Sequence, residues 1–251
     1  MTQPKLPQTR LDRLLTSLGY AARREVQGLI REGEVTLDGA PLLRGDTKIV
    51  LTPDLSDRMM VAGEKLDPIS PLTLALHKPT GVVCSHTEAG MRIYDLLPLR
   101  WQRRLPPLSS VGRLDKESSG LILLTDDGQL LHRIISPKSQ ISKRYVVTLD
   151  RDLNGDEAAL FATGTFMLES EKTPLLPAVF VATGPRSGHI TITEGRYHQV
   201  RRMFAATGNH VTALSRDKIG GLDLPLDLKV GDFHLLSHND VAKLFTKPQA
   251  P

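Results

Sequence analysis

The stretch Val111–Gly128, VGRLDKESSGLILLTDDG, limits what this chain can fold into more than any other. Its run GLILLT is apolar without alternation and is bounded by turn residues. It therefore reads as a buried strand rather than one with a wet face. A chain holding such a strand must build a sheet around it. At the mouth of that strand stands one acid, Asp115, between Arg113 and Lys116. A solvated loop would hold it. So would an active site that needs an ionised carboxylate turned toward a substrate. The letters RLD do not decide between them: Arg10-Leu11-Asp12 repeats them, and there they read as a helix start with an acid in its first turn.

Further strands are expected at LTLALHK, KRYVVTL, HITIT and FHLLS, and helical spacing appears at Gly128–Ser136 and Tyr197–Thr207. Strands in runs with few helices predict an α+β domain over residues 72–245, with a mixed, mainly antiparallel sheet rather than regular βαβ repeats. Asp126-Asp127-Gly128 reads as a turn with glycine at positive φ, and Gly220-Gly221 as a tight turn. Before this domain, residues 52–71 contain Pro53, Pro68 and Pro71 and little periodicity. They are expected to be a flexible linker with one short strand at Met59–Val61. Residues 1–9 and 246–251 are expected to be tails.

Residues 10–51 form a different, basic module. Two short helices are expected, broken at Gly19 and ended at Gly33. A hairpin turning at Asp38-Gly39 and a strand at Lys48–Leu51 follow. On the second helix, Ala22, Val26, Leu29 and Ile30 share one arc, and Arg23, Arg24, Gln27 and Arg31 another. Arg10, Arg13 and Lys48 add cations. A solvated face would look like this. An array of arginines also matches RNA phosphates, which the guanidinium fork grips in two-pronged fashion. The net charge of +4 and pI near 9.2 suit a polyanionic partner.

Other classes of function are set aside by composition. The single cysteine, Cys84, permits no intrachain disulfide and no four-cysteine zinc site, and in GVVCS it reads as a small buried hydrophobe. His198 has no second ligand at metal spacing. No signal-like or membrane-length apolar run is visible, so a soluble cytoplasmic protein is the expectation.

RLDRLLTSLGYAARREVQGLIREGEVTLDGAPL resembles the S4 RNA-binding module. GRLDKESSGLILLTDDG, KRYVVTL and EGRYHQVRRMF, in that order and with HKPTGVVCS and LSRDKIGGLDL, resemble the pseudouridine synthases of the RsuA type. The ending RYHQVRRMFAATGNHV…IGG is most similar to the branch acting on small-subunit ribosomal RNA. The resemblance implies an S4 domain followed by a pseudouridine synthase domain, working without metal or organic cofactor. It places the essential aspartate at Asp115, as nucleophile or as base, with Arg201 as its ion-pair partner and Tyr145 as the active-site tyrosine. Arg113 is then the candidate to hold a flipped nucleotide or fill its vacated space, Arg196 a phosphate contact, and His198 and Gln199 contacts to backbone or base edges. The partner implied is ribosomal RNA in a partly assembled small subunit, bound by a monomer with no membrane. A large-subunit target, or an S4 protein that only binds, are the rivals. One departure stands out: His77 occupies a position where the family usually has asparagine.

Overall fold

The computed structural model describes residues 6–246, which form two compact units. The first takes the chain up to Leu72 together with Leu97–Ser109; the second takes Thr73–Leu96 and the chain from Ser110 onward.

In the first unit, β1 (Gln8–Arg10) runs straight into α1 (Leu11–Ser17), and α2 (Arg23–Arg31) follows. The expected tail 1–9 therefore ends in a strand where it is described. Leu11, Leu14, Leu15 and Leu18, then Val26 and Ile30, recur at helical spacing and are all buried. Asp12 lies in the first turn of α1, as the helix-start reading expects. β2 (Val35–Leu37) and β3 (Ala40–Pro41) pair around Asp38 and Gly39, with φ of 51° and 80°. Two positive φ values in succession are what a tight hairpin turn requires. β4 (Lys48–Val50) pairs antiparallel with β1.

Residues 52–71 are folded rather than a free linker. They form α3 (Leu55–Arg58), β5 (Met59–Val61) and β6 (Glu64–Lys65), and β5 pairs with β2. The reason is hydrophobic: Leu55, Met59, Val61 and Leu66 are buried in the same core as the two helices. Leu97–Ser109 joins this unit as well. Leu105 donates its N–H to Ser17 O at 2.8 Å, and Arg100 forks onto Asp67 at 2.6 and 3.0 Å.

The second unit contains β7 (Thr73–Lys78), β8 (Ser109–Ser110, where the chain crosses back), β9 (Ser119–Thr125), α4 (Gly128–Ile135), β10 (Lys143–Leu149), α5 (Glu157–Ala162), β11 (Val179–Gly184), β12 (Ser187–Ile192), α6 (Gln199–Ala206), β13 (Val211–Ile219), β14 (Leu222–Asp223), β15 (Phe233–Leu235) and α7 (His238–Lys243). The main path of the sheet is β11-β12-β10-β13-β9-β7-β15. Its pairings are antiparallel except β13 with β9, so the sheet is mixed and mainly antiparallel. Leu121, Ile122, Leu123 and Leu124 of β9 are fully buried and pair antiparallel with β7. Gly120, at φ 104°, stands opposite Arg216, and a Cβ there would run into the Arg216 backbone. Only glycine lets these strands approach so closely. Gly220-Gly221 makes the tight turn between β13 and β14. Asp127-Gly128 differs from expectation: it starts a helix. The Asp127 carboxylate accepts the N–H groups of Gln129 (2.9 Å) and Leu130 (3.0 Å) as an N-cap.

Candidate active site

Asp115 sits on the loop that feeds β9, and this loop is held from beneath by a buried cation. Lys78, at the end of β7, is fully buried. Its ammonium donates to the carbonyls of Ser118 (2.7 Å), Pro79 (2.9 Å) and Lys116 (3.3 Å). Gly81 N–H donates to Lys116 O at 2.8 Å, and Ser118 N–H closes the turn on Asp115 O at 3.0 Å. Burial pushes the Lys78 ammonium below its usual range, against the pull of Cys84, Asp115 and Glu117. His77, the departure from the family pattern, is accommodated by a hydrogen bond between Nδ1 and Leu228 O at 2.8 Å.

Above this loop opens a cavity of about 640 Å³, whose lining includes Arg113, Asp115, Ser118, Tyr145, Tyr197 and His198. Asp115 is 34% exposed, so water reaches it, and His198 Nε2 lies 3.6 Å from Oδ1. The Tyr145 ring is buried on β10 and accepts a hydrogen bond at its hydroxyl from Arg216 Nη1 at 3.4 Å. Cys84 also lines the cavity; burial raises its thiol pKa, as for a small hydrophobe.

Arg113, Arg196 and Gln199 line the cavity as well, but several of the expected site residues have partners other than those expected. Arg201 does not pair with Asp115: its guanidinium donates to Val211 O and Glu117 O, both at 3.0 Å. It braces the turn after the aspartate, and the cationic partner beside the carboxylate is His198 when protonated. Gln199 is buried and is engaged within the protein, accepting from Arg196 N (2.9 Å) and donating to Glu194 (3.0 Å). Arg196 is tied to Glu171 and Glu194 at 3.1 Å each and to Thr173 O at 2.7 Å. With its donors so occupied, it is no free phosphate contact. Arg113 is 67% exposed and meets Glu88 at 2.7 Å.

Two side chains of the site, and a lysine on β10 that does not line the cavity, escape a reading of the motifs. Arg216, from the polar strand β13, is 2% exposed, donates to Leu121 O at 2.8 Å, and leaves Nη2 without a hydrogen-bond partner among the described residues. Ser118 lines the cavity, and its buried Oγ is likewise unpartnered. Lys143 shares the face of Tyr145 on β10; burial, with a further push from Arg216, lowers its pKa to about 8. The SSG letters gave a signal for Ser118; Arg216 gave none, because its burial depends on β9 and β10.

In the first unit, Arg10, Arg13 and Lys48 with Gln8 and Thr9 line a depression of about 280 Å³. Arg10, Arg13 and Arg23 line another of about 550 Å³ with Asp12, Thr16, Ser17 and Leu105. Asp12, 1% exposed, binds Arg10 (2.8 Å) and approaches Arg23 (3.4 Å), which aligns both forks. Arg24 and Arg31 are exposed on α2, and Arg31 Nε donates to Gln27 O at 3.1 Å. Among the described residues no helix is long and apolar enough to cross a membrane, and no group of three His, Cys, Asp or Glu side chains is placed to hold a metal ion.

Comparison with known proteins is consistent with this geometry. A family described as RNA pseudouridylate synthase matches residues 73–177, and the S4 domain family matches residues 9–48. The ribosomal small subunit pseudouridine synthase A of Escherichia coli (strain K12) is 38% identical over 239 residues, covering 94% of this chain and 99% of that protein. An uncharacterized RNA pseudouridine synthase of Bacillus subtilis (strain 168), YtzG, is 35% identical over 244 residues, covering 96% of this chain and all (100%) of that protein. A crystal structure of a pseudouridylate synthase superposes with a TM-score of 0.65 at 36% identity, covering 94% of this chain and 99% of that one.

Proposed function

This chain belongs to the RNA pseudouridylate synthase family, and from that premise we propose that its substrate is one uridine of small-subunit ribosomal RNA, with Asp115 as the essential carboxylate. That the chain is a pseudouridine synthase follows from the near full-length relationship. The choice of the small subunit rests on the relatives named for it.

The observation that carries the assignment of Asp115 is its place: a water-reached carboxylate in a 640 Å³ cavity also lined by a buried tyrosine, on a loop clamped by Lys78. The reaction breaks the N1–C1′ bond, turns the uracil, and joins C5 to C1′. C5 loses its proton and N1 gains one, so atoms and electrons balance without an oxidant, reductant or second substrate. Asp115 serves either as the nucleophile that holds the sugar or as the base that takes a ribose proton. Tyr145 packs against the base. A paired uridine must leave its stack to reach this cavity, and Arg113 at the rim is placed to hold it or the space it leaves.

The first unit contributes phosphate contacts through Arg10, Arg13, Arg23 and Lys48, with Arg24 and Arg31 on the exposed side of α2. Such contacts read the shape of folded RNA more than its sequence. The proposed substrate is therefore a partly assembled small-subunit particle in the cytoplasm, bound by a monomer and modified without a cofactor. Mapping pseudouridine in both ribosomal RNAs, from cells with and without the protein, tests this. One small-subunit site should disappear on deletion. Loss of a large-subunit site instead would overturn the assignment of substrate.

A further inference from the structure

We infer that Tyr197 and His198 form a stacking subsite for the base of the nucleotide next to the target uridine; this rests on the reading of the cavity as a pseudouridine synthase site. The two rings are stacked, with centroids 3.9 Å apart and planes inclined by 15°. Both line the cavity. The Tyr197 side is open: this large aromatic residue is 77% exposed, while the Tyr145 ring is 8% exposed. An exposed aromatic face beside a nucleic-acid site is the surface on which an unstacked base packs, whatever its identity.

The pair is fixed in place, as a platform must be. His198 is at φ 47°, ψ 34°, in the left-handed region, at the start of α6. A non-glycine residue held there carries local strain, and such strain gathers at functional positions. The conformation sets one face of the imidazole on Tyr197 and its edge 3.6 Å from the Asp115 carboxylate. Arg202 donates to Tyr197 O at 3.2 Å while its other contacts hold Glu171 (2.7 Å). Arg196, one residue before Tyr197, is tied to the same Glu171 at 3.1 Å. Two arginines on one carboxylate thus hold the segment that presents the rings. When the target uridine leaves its stack, its neighbour loses a stacking partner, and the Tyr197 face replaces it.

The test combines protein and RNA changes in one cycle. Tritium release from C5-labelled small-subunit RNA gives kcat/KM for wild type, Tyr197→Ala and Tyr197→Phe. Each is measured on RNA with the neighbouring base intact and with that base removed to leave an abasic sugar, on either side of the target. Tyr197→Ala should lose about 5- to 150-fold in kcat/KM, mainly in KM, the range for loss of one base–aromatic stack. Tyr197→Phe, which keeps the ring, should restore it. Removing the neighbouring base on one side should cost the wild type a similar factor and cost Tyr197→Ala almost nothing further. Equal losses on abasic RNA in both proteins, or an unchanged KM for Tyr197→Ala, would overturn the subsite while leaving the enzyme reading intact. A wild type that releases no tritium from either ribosomal RNA would overturn both.

Discussion

Replacing Lys78 by methionine isolates the clamp under the catalytic loop. Methionine has similar length and fills the same space, so no cavity opens. What disappears is an ammonium shared by three carbonyls. Lys116 O keeps the Gly81 N–H, whereas Ser118 O and Pro79 O lose the donor. A stranded buried acceptor costs about 1–3 kcal/mol. The full cost falls on Ser118 O, whose hydrogen bond is buried, and part of it on Pro79 O, whose hydrogen bond is partly open. Relief of the desolvated charge offsets some of this, leaving a net loss of about 1–3 kcal/mol. For a chain of this size that lowers Tm by about 2–12 °C. The loop carrying Asp115 also loses its anchor, and a displacement on the order of 1 Å at the reacting centre costs about 100-fold in rate. Thermal unfolding followed by circular dichroism gives the first quantity, and single-turnover tritium release at saturating RNA the second. KM should move much less than kcat, because the phosphate contacts do not rest on Lys78. A Lys78→Met variant that melts with wild type and turns over at its rate would refute the clamp.

Asp115→Asn keeps the shape of the carboxylate but cannot ionise; it should abolish tritium release while a filter-binding assay shows RNA still bound, and substantial residual turnover would remove Asp115 from the chemistry. Lys143 titrates near 8 in the folded protein against about 10.4 when unfolded. Its charge therefore costs stability fully below pH 8, and the cost is relieved as pH rises from about 8 to 10. Lys143→Met should be more stable than wild type at neutral pH by up to about 3 kcal/mol, with the difference shrinking across that window in urea titrations; a pH-independent difference would refute the linkage. Removing Arg13, Arg23 and Lys48, which share the two basic depressions, should flatten the log–log salt dependence of RNA binding by about one unit for each phosphate no longer neutralised. Removing Arg31, whose Nε is engaged by Gln27 O, should flatten it less, and equal slopes would show that those depressions do not hold phosphate.

What the sequence determined by itself was everything carried by local pattern. The apolar run of β9, the alternation of β10 and the 3–4 spacing of α1 and α2 each bury one set of side chains for any reasonable tertiary partner, so periodicity was sufficient. Asp38-Gly39 demanded its hairpin because few residues accept positive φ. The motif letters likewise placed Asp115, Tyr145 and His198 around one cavity. Tertiary structure decided the rest. β13, VTALSRDKI, is the longest strand and central to the sheet, yet its polar letters resemble a surface loop. It is a strand because Arg216 finds Leu121 O and Tyr145, and Asp217 finds Arg144 at 3.0 Å, partners 71 to 95 residues away in sequence. Residues 52–71 looked like a linker because they carry three prolines and little periodicity, and only the helices of the first unit give their apolar groups a core to join. The arginines show the same division. Sequence put Arg196 and Gln199 at the cavity, but it gave them and Arg201 partners from their neighbourhood, whereas a guanidinium or amide donates to whichever acceptor folding brings within hydrogen-bond distance. Here those acceptors are carbonyls and carboxylates of the protein itself. Local dihedral preference and hydrophobic period are properties of a segment, whereas the partner of a polar group is a property of the assembled chain.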